Sequence, residues 1–116
     1  MEETAYTTEF YATPSGNEPV RDFLDTLSVK ARQKCFSYID LLALMGLALR
    51  ASHIKKLEGD IWELRPEFGG TEYRIFFGRH GTRFILLHAV TKKRQKTART
   101  DIVMAQRRFN DWQEQG

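Results

Sequence analysis

Two stretches decide how this chain is read: Asp60-Ile61-Trp62-Glu63-Leu64-Arg65 and Glu72-Tyr73-Arg74-Ile75-Phe76-Phe77. Both alternate. In the first, Trp62 and Leu64 share one side and Ile61, Glu63 and Arg65 the other. In the second, Tyr73, Ile75 and Phe77 oppose Glu72, Arg74 and Phe76. Period two is the signature of a β-strand. Gly69-Gly70 joins them and is too short for a crossover, so the two strands run antiparallel. His80-Gly81 makes a second turn into Phe84–Val90, which is apolar on both sides, as a central strand is. The result is a three-stranded antiparallel meander.

Toward the N-terminus the period changes. Val20, Phe23, Leu24 and Leu27 recur at helical spacing behind Asn17 as N-cap and Pro19 in the first turn. Ser28 caps a second helix with an inward stripe of Cys35, Ile39, Leu42 and Met45, closed by Gly46. The two form a helical hairpin. Before them, Glu9–Thr13 reads as a short strand ended by Pro14-Ser15-Gly16-Asn17. Past the meander, a basic segment leads into a last helix with the stripe Ile102, Ala105, Phe109 and Trp112. The order is β-α-α-β-β-β-α, an α+β chain forming one domain over residues 1–116, with its helices on one face of an antiparallel sheet. The other face then carries Arg65 and Arg74, and charge there means water or an anionic ligand.

Composition agrees with a globular chain: 116 residues, 41% hydrophobic and 28% charged. The longest apolar stretch, Leu41–Leu49, is far short of the ~20 residues of a membrane span. Met1-Glu2-Glu3-Thr4 is acidic where a secretory signal is basic and then apolar. Cys35 has no second cysteine to pair with, so the expected compartment is cytoplasmic. Residues 1–29 hold six acids against the single base Arg21, whereas residues 30–116 hold seventeen bases against nine acids. Such a split presents a basic region to an anionic partner, most often nucleic acid.

The chemistry follows from what is present. No Gly-rich phosphate loop and no Cys/His cluster at metal spacing occurs, so neither a metal nor a cofactor is expected. Cys35 sits on an apolar stripe as a core residue. The cations remain: Lys55-Lys56 before the meander, Arg65 and Arg74 on neighbouring strands, and five bases without an acid in Lys92-Lys93-Arg94-Gln95-Lys96-Thr97-Ala98-Arg99. Glu63 and Glu72 share the Arg65 and Arg74 side and pair with those arginines. A cationic site can cleave RNA without metal. It places a 2′-hydroxyl in line with its own phosphate, neutralises the phosphoryl oxygens and moves protons. Arginine suits the charge; lysine moves protons when neighbouring cations lower its pKa. Lys56, Arg65, Arg74 and Lys93 are the candidate catalytic groups, and Lys55, His88, Lys92, Arg94 and Lys96 the candidate RNA contacts. The strand of His88 is apolar on both faces, so periodicity leaves its direction open, and a structural histidine fits as well.

Lys55-Lys56-Leu57-Glu58-Gly59-Asp60-Ile61-Trp62-Glu63-Leu64-Arg65 resembles the K-x-L-x-G-x-x-W-E-L-R signature of phage-derived HigB-like toxins, in the RelE/ParE superfamily of type II toxin–antitoxin systems. Tyr73-Arg74-Ile75-Phe76-Phe77, the run Leu86–Thr97, a helix from near Asp101, and Gly16–Val20 followed by Phe23-Leu24 are similar too, so the likeness covers nearly the whole chain. The resemblance implies a RelE-like α+β fold with a curved antiparallel sheet, and a ribosome-dependent mRNA endonuclease that stops translation. It also implies a cognate antitoxin, often with a helix-turn-helix domain, whose complex with the toxin binds operator DNA and represses the shared operon. By position, the family's working bases fall on Lys55 or Lys56, on Arg65, and on Lys92 or Lys93. Many RelE proteins carry a tyrosine near the start of the last helix, where this chain reads Thr97-Ala98-Arg99-Thr100. Either another residue replaces it or the mechanism leans on lysine and arginine. The alternatives are a ParE-like toxin that inhibits DNA gyrase and a non-catalytic nucleic-acid-binding module.

Overall fold

The computed structural model describes residues 5–115; the acidic segment Met1–Thr4 lies outside them. The elements run β1 (Thr7–Phe10), α1 (Pro19–Asp25), α2 (Val29–Met45), β2 (Ile54–Lys56), β3 (Ile61–Leu64), β4 (Glu67–Phe68), β5 (Thr71–His80), β6 (Arg83–Thr91) and α3 (Arg99–Gln115), with one 3-10 turn at Gly46–Ala48. Strand order is β1-β6-β5-β3-β2, and β4 pairs β5 from outside that path. The α+β class and RelE-like arrangement stand, and the meander β3-β5-β6 is antiparallel as expected. Glu67–Phe68 and Thr71–Glu72 form a tight hairpin whose two turn residues, Gly69 and Gly70, both take positive φ, as a two-residue type I′ loop requires. No helix among the described residues is long and apolar enough to cross a membrane.

Two expectations of the fold need correction. The sheet is mixed, because β1 pairs β6 in parallel, Thr7 to Arg83 through Phe10 to Leu86. The helices do not share one face. α1 and α2 cover one side, where Val20, Leu24, Cys35, Ile39 and Leu42 meet Leu64, Ile75, Phe77 and Leu86. α3 covers the other, where Ile102, Ala105 and Phe109 meet Ile61, Phe76, Ile85 and Leu87. The reason is β6: a strand apolar on both faces needs cover on both. Gly78 permits the second layer, because a Cβ there would stand 2.6 Å from the Phe109 ring.

Local details of the helices also differ. The cap of α1 is Glu18, which makes no side-chain capping bond, so Asn17 is not the N-cap. Met45 is exposed and Ala31 takes the inward place on α2. Ser28 accepts from the Ala31 N–H as a cap should.

Candidate functional site

Register across the sheet sorts the cations. Lys55 lies opposite Glu63, and Glu63 opposite Phe76, so Lys55 shares the α3 side of the sheet. Lys56 lies opposite Trp62 on the α2 side, with its Nζ 5.9 Å from the centre of that ring. Lys55, not Lys56, therefore stands with Glu63 and the strand arginines.

The expected solvated arginine face is an internal ion network. Glu63 is fully buried and Arg74 only 4% exposed. Arg74 donates from Nη2 to the carbonyls of Arg94 at 3.1 Å and Gln95 at 2.8 Å, and from Nη1 to the Thr97 hydroxyl at 3.3 Å. Thr97 in turn donates to Glu63 Oε2 at 2.8 Å. Arg74 Nε lies 3.6 Å from Glu63, and Arg65 Nε lies 3.6 Å from both Glu63 and Glu72. Lys92 Nζ reaches Glu72 at 3.4 Å. Glu63 Oε1, Glu72 Oε1 and the two arginine Nε atoms are held by charge alone, without a hydrogen bond. The pairing of Glu63 and Glu72 with the arginines was legible from shared strand faces. The burial of Arg74 was not, because it depends on the loop folding back over the sheet.

The consequence is a shaped loop. The Arg74 guanidinium gathers the carbonyls of residues 94 and 95, so the backbone turns inward while Lys93, Arg94 and Lys96 remain exposed. They line a cleft of about 580 Å³ with Lys92, Arg74, Phe23 of α1 and Thr100 and Asp101 of α3. The floor is the Ala89–Thr91 end of β6. β1 pairs β6 only as far as Leu86, so no described strand borders the floor on that side.

The direction of His88, open in the sequence, is set by a bulge. Phe77 pairs Leu86 while Phe76 pairs His88, leaving Leu87 as the extra residue. Such an insertion re-aims the side chains that follow it. His88 thus joins Phe76 on the α3 side, their rings 5.5 Å apart. Its Nε2 lies 2.8 Å from Asp101 Oδ1, and its Nδ1 lies 3.3 Å from Arg108 Nη1, which also donates to the Leu87 carbonyl at 2.9 Å. A guanidinium can only donate, so Nδ1 accepts and Nε2–H donates to Asp101. Burial lowers the pKa of Arg108 from its ordinary value. Both ring nitrogens of His88 are engaged within the protein. Asp101, which sequence reasoning missed, is the one carboxylate among the cleft's described lining residues. No local pattern marks it; only the contact across 13 residues does. Among the described residues no three His, Cys, Asp or Glu side chains stand together as a metal site needs.

The pattern of the phage-derived Gp49-like proteins (DUF891) matches residues 22–110 of this chain. The chain is also similar to the probable endoribonuclease HigB1 of two Mycobacterium tuberculosis strains, CDC 1551 and H37Rv. In each case identity is 32% over 103 residues, covering 89% of this chain and 81% of the relative.

Proposed function

Because the chain belongs to the phage-derived Gp49-like family of HigB-type toxins, we propose that it is the toxin of a toxin–antitoxin pair and an endoribonuclease that cuts mRNA on the ribosome. The observation that carries this reading is the loop Lys92–Thr97, tied down by a buried arginine so that Lys93, Arg94 and Lys96 line an open cleft. Gathering like charges costs stability, and an anionic ligand offsets that cost. The relatives' name supplies the class of chemistry.

In the proposed reaction the 2′-oxygen of one nucleotide attacks the adjacent phosphorus and the bond to the 5′-oxygen breaks. The products are a 2′,3′-cyclic phosphate and a 5′-hydroxyl, with no metal required. Arg94 and Lys96 neutralise the phosphoryl oxygens, aided by Lys55 and Arg65 on the sheet. Asp101, oriented by His88, takes the 2′-hydroxyl proton, and the Lys93 ammonium gives one to the leaving oxygen. Arg74, Glu63 and Thr97 are positioning residues. Lys92 is half-spent on Glu72 and contributes field more than contact. The ribosome holds the message in line, so free RNA is a poor substrate. The partners are the ribosome, mRNA and a cognate antitoxin, through which operator DNA is bound; the compartment is the cytoplasm.

The test is induction in growing cells with protein, RNA and DNA synthesis followed together, and end analysis of message incubated with ribosomes and purified toxin. Protein synthesis stopping first, with cyclic phosphate ends, supports the reading. DNA synthesis stopping first with intact message overturns it in favour of gyrase inhibition.

A further inference from the structure

The cross-strand register builds a feature that no single stretch of sequence contains. Lys56 on β2, Trp62 on β3 and Phe77 on β5 stand in one row across three strands on the α2 side. Trp62 stacks on Phe77 with ring centres 6.5 Å apart and planes 16° apart. On its other side stands β2, the last strand of the sheet, with the exposed Lys56 ammonium 5.9 Å from the ring centre. The row ends at a second cavity of about 510 Å³, floored by Leu47, Leu49 and Ile54 and flanked by Lys55, Lys56 and Arg65, with no acid among its described lining residues. Its size falls within the range of ligand pockets. Trp62 is half-buried, unlike Phe77, which is fully covered.

An aromatic face with cations beside it and no carboxylate is the chemistry that holds a base of single-stranded nucleic acid. The cation on the edge strand is doubled, and alternation turns Lys55 to one side of the sheet and Lys56 to the other. Arg65 joins the two sides, since it lines this cavity while its Nε reaches the Glu63–Glu72 network under the basic loop. A strand of RNA leaving the loop cleft past Arg65 and Lys55 would round the edge of β2 and meet Trp62. We propose that this edge is a second RNA subsite, in which a base flanking the cut nucleotide stacks on Trp62 and its phosphates meet Lys55 and Lys56. The proposal rests on the endoribonuclease reading and deepens it by adding a flanking-nucleotide site.

The experiment uses the full chain carrying Trp112→Phe, which leaves Trp62 as the only tryptophan. The probe is a fluorescein-labelled six-nucleotide 2′-O-methyl RNA, which cannot undergo 2′-hydroxyl attack. Binding is read by anisotropy and by quenching of Trp62 emission at low salt. Trp62 emission should be quenched in step with anisotropy. Trp62→Leu should weaken binding about tenfold, a typical loss for one stacked base, and Trp62→Phe should restore most of it. Lys56→Gln, an exposed change that spares the core, should weaken binding severalfold and reduce its salt dependence. Unquenched emission on saturation, or equal affinity for Trp62→Leu and Trp62→Phe with both folded by circular dichroism, overturns the subsite. Message cleavage by the unsubstituted protein on ribosomes is scored separately. Cleavage with no role for Trp62 sinks the subsite and leaves the nuclease standing; absence of cleavage sinks the nuclease.

Discussion

Replacing Arg74 by methionine removes the charge that faces Glu63 and the donors that hold the loop, while keeping a long buried chain. Glu63 has no exposed surface and Arg74 very little, so water cannot replace the lost partner. Removing one member of a buried pair costs about 3–5 kcal/mol. Arg65 stays 3.6 Å from Glu63 and the Thr97 hydroxyl still donates to it, which puts the loss at the lower end, about 3 kcal/mol. The bonds to the carbonyls of Arg94 and Gln95 are only part-buried and add little to that figure. For a chain of this size that loss lowers Tm by about 12 °C. Converting Glu63 to methionine as well removes the stranded charge, and an apolar pair of similar volume should bring stability back to within about 1 kcal/mol of the parent. The loop still lacks its tether, so toxicity should stay down about 10²-fold in both single and double variants, the scale of a misplaced electrostatic group. Urea melts give the stability cycle, and growth arrest at matched protein levels gives activity. A single variant costing under about 1 kcal/mol, or a double variant as toxic as the parent, would refute the view that Arg74 positions the loop.

Changing Lys93, Arg94 and Lys96 together to glutamine should weaken sedimentation with ribosomes and flatten its salt dependence by roughly three contacts' worth of slope; an unchanged slope assigns the loop to ordinary solvated surface. Gly78→Ala should destabilise by about 1–3 kcal/mol in urea melts, because its Cβ meets the Phe109 ring at 2.6 Å and α3 must shift; a neutral result would mean α3 yields freely. Burial, then the hydrogen bond to Asp111, pushes the Tyr11 hydroxyl from 10.0 up to about 12. The folded state thus holds the proton longer than the unfolded one, so this contribution to stability is intact below pH 10 and lost as the pH rises toward about 12. Tyr11→Phe should remove that part of the alkaline decline in pH-dependent melts. Burial likewise pushes the Cys35 thiol up to about 11, so it should react with thiol reagents only as the protein unfolds.

The sequence alone determined the elements whose reasons are local. Alternation over Ile61–Leu64 and within Thr71–His80, the glycine turns and the stripes on α2 and α3 are each written in neighbouring residues, because pleat and helix turn repeat every few positions. It also determined that Glu63 and Glu72 would neutralise Arg65 and Arg74, since alternation puts them on one face. The Lys55–Arg65 stretch and the basic run were enough to point to the family. Tertiary structure decided everything set by contacts between distant residues. β1 joins β6 across 76 positions, and α3 closes over the face that the arginines were expected to leave open. One extra residue at Leu87 turned His88 toward Asp101, and a bulge leaves no periodic trace in a strand apolar on both sides. Arg74 became a tether for the basic loop because Thr97 and the carbonyls of residues 94 and 95 converge on it from 20 to 23 positions away. Strand pairing likewise separated Lys55 from Lys56: period two puts neighbours on opposite sides, but only the register with β3 says which of them faces Glu63 and which faces Trp62.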